Sequence, residues 1–140
     1  ENPNYQQTLA GIVNFLIGLM YYRERNSELQ KNSAQVDIIA KSKVMIRESL
    51  ETCTTIQEIA QKLGISYSSF RKLFKEYTGI APTMYQHNLR LQLAKELLSS
   101  TDESIKEIAY RLNFGSPDYF SSKFKAETGM KPSDYREKCR

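Results

Sequence analysis

The chain has 140 residues, of which 40% are hydrophobic and 26% are charged. This composition suits one moderate globular domain, or a small domain with an appendage, and excludes a disordered chain. The formal net charge of +4 lies entirely in residues 53–140, which hold 14 basic and 10 acidic residues, whereas residues 1–52 hold six of each. The charge distribution predicts an anionic partner for the C-terminal part of the chain.

Cysteine usage and apolar runs indicate where the protein works. Cys53 and Cys139 are the only cysteines and have no CxxC spacing, so we expect reduced structural thiols and a cytosolic protein. The longest apolar run, Leu9 to Tyr22, has 14 residues and falls short of the roughly 20 needed to cross a bilayer. No basic residue precedes the run, which disfavours a signal peptide, and we expect no membrane partner. Because the chain begins at Glu1 and not at Met, we also expect further sequence upstream.

The first predicted element is a helix in the apolar run. Its apolar side chains recur at 3–4 spacing, which places a stripe along one helix face. Gly11 and Gly18 lower the intrinsic stability of this helix, so we expect it to need a packing partner. The polar residues 24–34 predict a linker or a frayed helix end, and a second helix is predicted at 35–51. The stripe consists of Leu9, Ile12, Val13, Leu16, Leu19 and Met20. The predicted buried face of the second helix consists of Val36, Ile39, Ala40, Ile46 and Leu50.

Residues 56–85 and 105–135 carry the same pattern twice. Matching positions lie 49 residues apart before a turn and 50 apart after it, because Gly115 is an extra residue in the second copy. Two copies are too few for a solenoid. A unit that is used twice predicts two similar surfaces held at a fixed separation.

Each copy contains start and stop signals for two helices. A Thr or Ser followed three positions later by Glu predicts a capping box on the first helix. Gly or Asn predicts where a helix ends, and Ser predicts where the second helix begins. Short helix, tight turn and second helix form the helix-turn-helix pattern. The signals are Thr55 with Glu58, Gly64, Ser66 and Gly79 in the first copy, and Ser104 with Glu107, Asn113, Ser116 and Gly129 in the second.

A single helix over residues 82–99 is predicted between the two copies. At 1.5 Å per residue it is roughly 27 Å long, which suits two units held about one DNA turn apart, on the order of 34 Å. No segment has the pattern of a strand. The predicted fold class is therefore all-α, with two helix-turn-helix units joined by a long central helix and preceded by an N-terminal helix. The apolar side chains of the central helix are Met84, Leu91, Ala94, Leu97 and Leu98.

The second helix of a helix-turn-helix unit lies in the major groove, with its first two turns nearest the base edges. In the first copy, Arg71 can donate two hydrogen bonds to guanine, and Lys72 can reach a base or a phosphate. The alternative is a charged face that is merely solvated. The expected core residues are Phe70, Leu73, Phe74 and Tyr77, and the opposite face presents Ser68, Ser69, Arg71, Lys72 and Lys75.

The corresponding face of the second copy is less basic. Asp118 either accepts a hydrogen bond from cytosine N4 or stabilises the helix N-terminus through the macrodipole, and we expect the second role. We therefore expect the first unit to supply more of the base-specific affinity. With Phe120 and Phe124 in the core, the outward residues are Pro117, Asp118, Tyr119, Ser121, Ser122, Lys123 and Lys125.

Four further residues have candidate roles. The backbone amides at Ile56 and Ile105, just inside capped helix N-termini, are candidates for phosphate contacts. Arg90 either contacts the DNA backbone or pairs with a carboxylate inside the domain, and we expect the ion pair. His87 is the sole histidine, expected at the surface or partly packed.

With no Walker loop, GxGxxG motif or carboxylate cluster, the chain is predicted to have no enzymatic activity, metal or cofactor.

Two segments resemble the AraC/XylS family of bacterial transcription regulators: IKEIAYRLNFGSPDYFSSKFKAETGMKPSDYR at 105–136 and LRLQLAKELL at 89–98. The resemblance covers residues 36–140. It implies seven helices and two helix-turn-helix units inserted into adjacent major-groove segments on one DNA face, often with bending. Pro117 has no side-chain donor and departs from the polar residues often found at its position. The implied DNA contacts are Ser68, Arg71 and Lys72 in the first unit and Pro117, Asp118, Tyr119, Ser122 and Lys123 in the second.

Residues 1–30 resemble the helices that follow a cupin-like effector domain in many family members and mediate dimerisation. We therefore interpret residues 1–34 as the end of a truncated N-terminal effector or dimerisation domain. Residues 35–140 are then the DNA-binding domain, with helix-turn-helix units at about 55–78 and 104–128. Two interpretations of residues 9–20 stay open: a homodimer contact, or packing on an upstream domain of the same chain.

The predicted function is a sequence-specific regulator of transcription that binds double-stranded operator DNA, with RNA polymerase as a further partner. The alternative is a protein-interaction module of helix-turn-helix fold with little DNA affinity, which a flat dependence of affinity on salt would favour. A repair methyltransferase with a similar domain would need a cysteine cluster for metal and alkyl acceptance, which this chain lacks.

Overall fold

The computed structural model describes residues 3–139, with the side chains of residues 9–139. Within that range the chain forms seven α-helices and no strand. The two repeats form α2–α3 and α5–α6, and α4 links them, which confirms the predicted all-α fold class. The helices are α1 (Pro3–Thr52), α2 (Ile56–Lys62), α3 (Tyr67–Thr78), α4 (Pro82–Ser100), α5 (Ile105–Arg111), α6 (Pro117–Thr128) and α7 (Pro132–Cys139).

Helix α1 continues through residues 24–34, so the predicted linker or frayed helix end is wrong. The segment contains neither Gly nor Pro, and six of its eleven residues are Glu, Arg, Lys, Gln or Leu. These residues favour the helix even where no face is apolar. The polarity of the segment therefore reflects its exposure to water and not a break in the helix.

The chain divides into two bodies, the first ending at Ile38 and the second beginning at Ile39. In the first body, the large apolar side chains of residues 9–22 are exposed, with Phe15 at 66% and Met20 at 68%. Within the described residues, no helix is both long enough and apolar enough to span a membrane. The first body therefore presents a large uncovered apolar surface.

The second body contains two separate apolar cores. Helix α4 borders both, because its Tyr85 and Leu89 pack against the first core while its C-terminal half belongs to the second. The first core joins α1 to α2 and α3 through Ile39, Ile46, Ile56, Ile59, Ala60, Phe70 and Phe74. The second core joins α4 to α5 and α6 through Leu91, Ala94, Leu97, Leu98, Ile108, Ala109, Leu112, Phe114, Phe120 and Phe124.

The sequence repeat is also a structural repeat. The rings of Phe74 and Tyr85 pack edge to face with centroids 5.3 Å apart, and those of Phe124 and Tyr135 do so at 5.4 Å. Both recognition-type helices end at a left-handed glycine, whose positive φ disfavours other residues. The duplicated aromatics and stop signals thus build the same scaffold twice.

Two residues of α1 predicted to be buried, Val36 and Ala40, are exposed. The buried face of α1 follows residues 39, 42, 46, 49 and 50, so Ala40 is turned away from it and Val36 precedes its first member. Ser42 and Ser49 complete the face, and their hydroxyls donate to the carbonyls of residues 39 and 46 at 2.8 and 2.6 Å. Such internal hydrogen bonds remove the cost of burying a hydroxyl, which the apolar pattern cannot reveal.

Tyr77, also predicted to be core, is 41% exposed, and Met84, an apolar residue of the predicted central helix, is 52% exposed. The inward line of α3 advances by four residues through Phe70, Phe74 and Thr78, which leaves Tyr77 at its margin. On α4 the inward line begins with the buried Pro82, and Met84 points elsewhere. The 3–4 spacing identified the helices correctly but made their buried faces too wide.

Candidate DNA-binding interface

A serine network fixes the first turn of α3. The Ser66 hydroxyl accepts a hydrogen bond from the Ser69 amide at 3.2 Å and donates one to the Ser69 hydroxyl at 2.8 Å. The Ser68 hydroxyl lies 3.3 Å from that of Ser66. The cap satisfies an amide that would otherwise lack a partner at the helix start. It also gives both predicted DNA-facing serines a partner inside the protein.

The outward face of α3 is exposed and basic. The side chains of Ser68, Ser69, Arg71, Lys72 and Lys75 are all exposed, as predicted. None of the three cations forms an ion pair with a described residue. Their charge is therefore not neutralised inside the protein and is available to an anionic ligand.

The outward face of α6 is organised differently. Ser116 caps the helix by accepting from the Tyr119 amide at 3.2 Å, and Pro117 occupies the first turn. Asp118, Tyr119 and Ser122 are exposed, whereas Pro117 and Lys123 are half-buried. Asp118 lies in the first turn of α6, where a carboxylate interacts favourably with the helix dipole. This face therefore offers fewer free cations than that of α3.

Capping boxes fix the starts of α2 and α5. The Thr55 amide donates to Glu58 Oε2 at 2.7 Å, and the Ser104 amide donates to Glu107 Oε2 at 2.7 Å. These backbone hydrogen bonds, followed by those from the cap hydroxyls, lower the pKa of both glutamates. Both boxes are confirmed, and phosphate contact by the amides of residues 56 and 105 stays a prediction.

A set of hydrogen bonds joins the end of α1 to the turn of the second helix-turn-helix unit. The Asn113 side-chain amide donates to the Leu50 carbonyl at 2.9 Å, and its Oδ1 accepts from the Cys53 thiol at 2.7 Å. Arg111 pairs with Glu51 at 3.1 Å. The sequence indicated Asn113 only as a helix stop. The sequence holds one signal for this role, because the first copy has Gly64 at the equivalent position. An asparagine in the left-handed conformation has a side chain that can form hydrogen bonds, which glycine lacks.

Replacing Asn113 tests this connection. Asn113→Gly keeps the left-handed backbone (φ 55° in the structure) and removes both side-chain hydrogen bonds. We expect it to lower the free energy of unfolding by about 1–3 kcal/mol in urea denaturation, at about 0.5–1.5 kcal/mol per hydrogen bond. Asn113→Ala should cost about 1 kcal/mol more, because alanine also opposes the left-handed conformation. Equal stability of Asn113→Gly and the parent chain would show that these hydrogen bonds contribute nothing.

Arg90 does not form the predicted ion pair. No carboxylate of the described residues lies within ion-pair distance, and the guanidinium carbon sits 5.9 Å from the centre of the Phe114 ring. Burial lowers the pKa of Arg90. The expectation failed because α4 brings Arg90 against the ring of Phe114, and no carboxylate of the described residues lies within ion-pair distance.

His87 is partly buried beside α6, within the range expected for it. Its Nε2 lies 4.0 Å from Glu127 Oε1 and forms no hydrogen bond with a described residue. Burial, and then the charge of Lys123, lower the pKa of His87, against the opposing effect of Glu127. The imidazole is therefore mainly neutral at pH 7.

Comparison with known proteins places this fold among transcription regulators. A family model described as a helix-turn-helix domain matches residues 50–138. The HTH-type transcriptional activator RhaR of Yersinia pseudotuberculosis serotype O:1b is 32% identical over 117 residues, which are 84% of this chain and 39% of that protein. A transcriptional regulator with an AraC-type DNA-binding domain from Chromobacterium violaceum matches with a TM-score of 0.69 and 27% identity over 76% of this chain and 96% of that one. The DNA-binding domain of AdpA, a global transcriptional factor solved with a target DNA, has a TM-score of 0.67 and 28% identity, covering 71% of this chain and 90% of that one.

The two capped and exposed recognition helices define a double helix-turn-helix DNA-binding domain. The chain belongs to the AraC-type helix-turn-helix family. The relatives are described as transcription regulators, and the part of them that this chain matches is an AraC-type helix-turn-helix DNA-binding domain, as predicted. The chain spans 39% of the length of the RhaR relative.

Proposed function

We propose that the chain is the operator-binding part of a cytosolic transcription regulator, with α3 and α6 in adjacent major-groove segments. The observation that carries the proposal is the α3 face, where Arg71, Lys72 and Lys75 are exposed without an ion pair to a described residue. A relative of the same fold was solved with a target DNA, which supports a DNA ligand for this face.

The two faces are assigned different tasks. On α3, the Arg71 fork suits guanine, Lys72 suits a base or a phosphate, and Lys75 suits a phosphate. On α6, the exposed side chains offer hydroxyl groups, a carboxylate and the ammonium of Lys125, with Lys123 half-buried and no arginine, so this helix reads less strictly. The proposed DNA-facing residues are Ser68, Ser69, Arg71, Lys72, Lys75, Pro117, Asp118, Tyr119, Ser122 and Lys123.

Selection of binding sites from random duplex DNA tests the proposal. We expect two unequal half-motifs about ten base pairs apart, since two major-groove segments on one DNA face repeat at that distance. Affinity for the selected site should fall steeply with added salt, because several phosphate contacts release counterions. A flat salt response, with no enriched motif, would favour a protein-interaction module instead.

Residues 9–20 are proposed to form a homodimer contact. They carry a contiguous set of exposed apolar side chains, among them Ile12, Leu16 and Met20, and exposed apolar surface of this extent marks an interaction site. The stripe recurs at 3–4 spacing, which suits a second helix of the same kind. The competing occupant is an upstream domain of the same chain.

Glutamate substitutions in the stripe distinguish the two occupants. Leu16→Glu should convert a dimer to a monomer in sedimentation equilibrium, because a charge would be buried at the contact while glutamate still favours the helix. Asn14→Glu adds the same charge on the opposite side of the helix and should leave the dimer intact. A parent chain that is monomeric at tens of micromolar would contradict the homodimer and favour the upstream domain.

RNA polymerase is proposed as a further partner. Curated relatives are described as transcriptional activators, and an activator acts on the polymerase. Transcription by purified polymerase from a promoter that carries the selected site should rise when the chain is added. An unchanged transcript level would oppose this partner without affecting the DNA-binding proposal.

A further inference from the structure

Arg90 is a half-buried cationic side chain for which the scaffold supplies no counter-charge. Its Nε atom is buried and has no hydrogen-bond partner among the described residues. Its guanidinium lies against the face of Phe114, with the central carbon 5.9 Å from the ring centre. No acidic side chain forms an ion pair with it in the part of the chain that the structure describes.

A buried, unpaired charge is unfavourable unless another group compensates for the lost water. Burial accordingly lowers the pKa of Arg90, yet a guanidinium stays protonated in proteins. The ring supplies a weak attraction and no hydrogen-bond acceptor. The part of the guanidinium that remains accessible is therefore open to an acceptor from outside the chain.

Arg90 lines a groove between the two helix-turn-helix units. The groove is lined by hydroxyl and amide side chains, by a thiol and by an isoleucine, and by no carboxylate. The Thr55 hydroxyl and the Gln86 amide already donate inside the protein, to Glu58 at 3.0 Å and to Ser49 at 2.8 Å. Its walls come from the loop before α2, from the start of α4 and from the turn before α6, where Asn113 contributes. Gln57 and Thr83 are exposed at the groove that Arg90 lines.

We propose that this groove binds a phosphate of the DNA backbone, with the Arg90 guanidinium as the ionic partner and the exposed side chains of Gln57 and Thr83 as hydrogen-bond donors. The proposal rests on the proposed operator binding. Because the groove receives residues from both units, the bound phosphate lies between the two half-sites. It contributes affinity that does not depend on base sequence.

The test compares Arg90→Gln with the parent chain on the selected operator and on an unrelated duplex over a range of salt concentrations. Loss of one phosphate contact should reduce the slope of log affinity against log salt by about 0.9. At about 0.15 M salt this corresponds to about five-fold weaker binding, by the same factor for both duplexes. Arg90→Lys keeps a point charge and should keep most of the slope.

Two controls separate this role from a structural one. Lys95→Gln removes a charge from the same helix outside the groove and should leave the slope unchanged. Thr83→Glu keeps Arg90 on its ring and places a carboxylate at the exposed rim of the groove, so it should weaken both duplexes equally. This second variant keeps the proposal testable if Arg90→Gln does not fold.

The source of the phosphate is distinguished by the NMR signal of the Arg90 Nε–H in the parent chain. We expect it to move on addition of duplex DNA and not with inorganic phosphate at the same phosphate concentration. A response to inorganic phosphate, with an unchanged salt slope in Arg90→Gln, would overturn the proposal in favour of a site for a free anion. If affinity of the parent chain for DNA falls steeply with salt and Arg90→Gln has the same slope, the phosphate site is overturned and the proposed operator binding stands. A parent chain that does not bind DNA would overturn the proposed function as well.

Discussion

Arg71→Ala is expected to lower affinity for the preferred operator by roughly 1–3 kcal/mol, about 5- to 150-fold, and to relax the preference at one base pair. The planar guanidinium can donate two hydrogen bonds to the O6 and N7 of guanine, and alanine replaces neither. Arg71 is exposed and has no ion-pair partner among the described residues, so the substitution should leave the fold intact. Competition binding against a set of operators, each substituted at one position, measures the loss of affinity and identifies the base pair at which the preference is relaxed.

Two variants on the same helix separate base recognition from charge. Lys75→Ala should weaken the operator and unrelated DNA by about the same factor and lower the salt slope by about 1. Arg71→Lys should keep the slope and lose the preference at the affected base pair, because an ammonium cannot form the paired hydrogen bonds of a guanidinium. Unchanged binding of Arg71→Ala to the preferred operator would show that this face of α3 is not the reading face.

The two units use one scaffold for unequal tasks. Where α3 has Arg71 and Lys72, α6 has Ser121 and Ser122, and its first turn begins with Pro117. The core aromatics and caps are nearly identical in the two units, so these differences do not alter the helix position. They change only the groups that each helix presents outward, which is why we expect unequal half-motifs.

The scaffold was predictable because its signals are local. A capping box requires a hydroxyl and a glutamate three residues apart, and a helix end at positive φ requires Gly or Asn. Both are visible in the sequence at Thr55, Glu58 and Asn113, and the structure contains them. The exposed α3 face followed in the same way, because it lies opposite two phenylalanines at helical spacing.

The failed predictions concern contacts between distant segments. The partner of Arg90 is the ring of Phe114, 24 positions along the chain, and sequence spacing does not reveal such a neighbour. The role of Asn113 likewise depends on Leu50 and Cys53, which approach it only in the folded chain. The prediction of a linker at residues 24–34 failed for another reason. A polar composition is expected both for a helix that is exposed to water and for a segment that is not helical, so composition alone does not distinguish them.

Phe124→Ala is expected to lower the free energy of unfolding by about 3–5 kcal/mol, the usual range for a buried phenylalanine. Phe124 is fully buried in the second core, and its ring packs edge to face against Phe120 and Tyr135 at 5.7 and 5.4 Å. Removal leaves a cavity and ends both aromatic contacts. Since domains of this size are stable by about 5–15 kcal/mol, urea denaturation should show a large shift of the midpoint.

Phe74→Ala is the matched substitution in the first core, where Phe74 is also fully buried and packs against Phe70 and Tyr85 at 5.5 and 5.3 Å. The two cores share no buried residue, so each variant should open its own unit first. Amide hydrogen exchange should therefore accelerate mainly in α5 and α6 for Phe124→Ala, and mainly in α2 and α3 for Phe74→Ala. Equal acceleration in all four helices would mean that α4, which borders both cores, makes them unfold as one cooperative unit. In that case the two reading helices could not lose their order separately, and a defect in either core would abolish recognition of both half-motifs together.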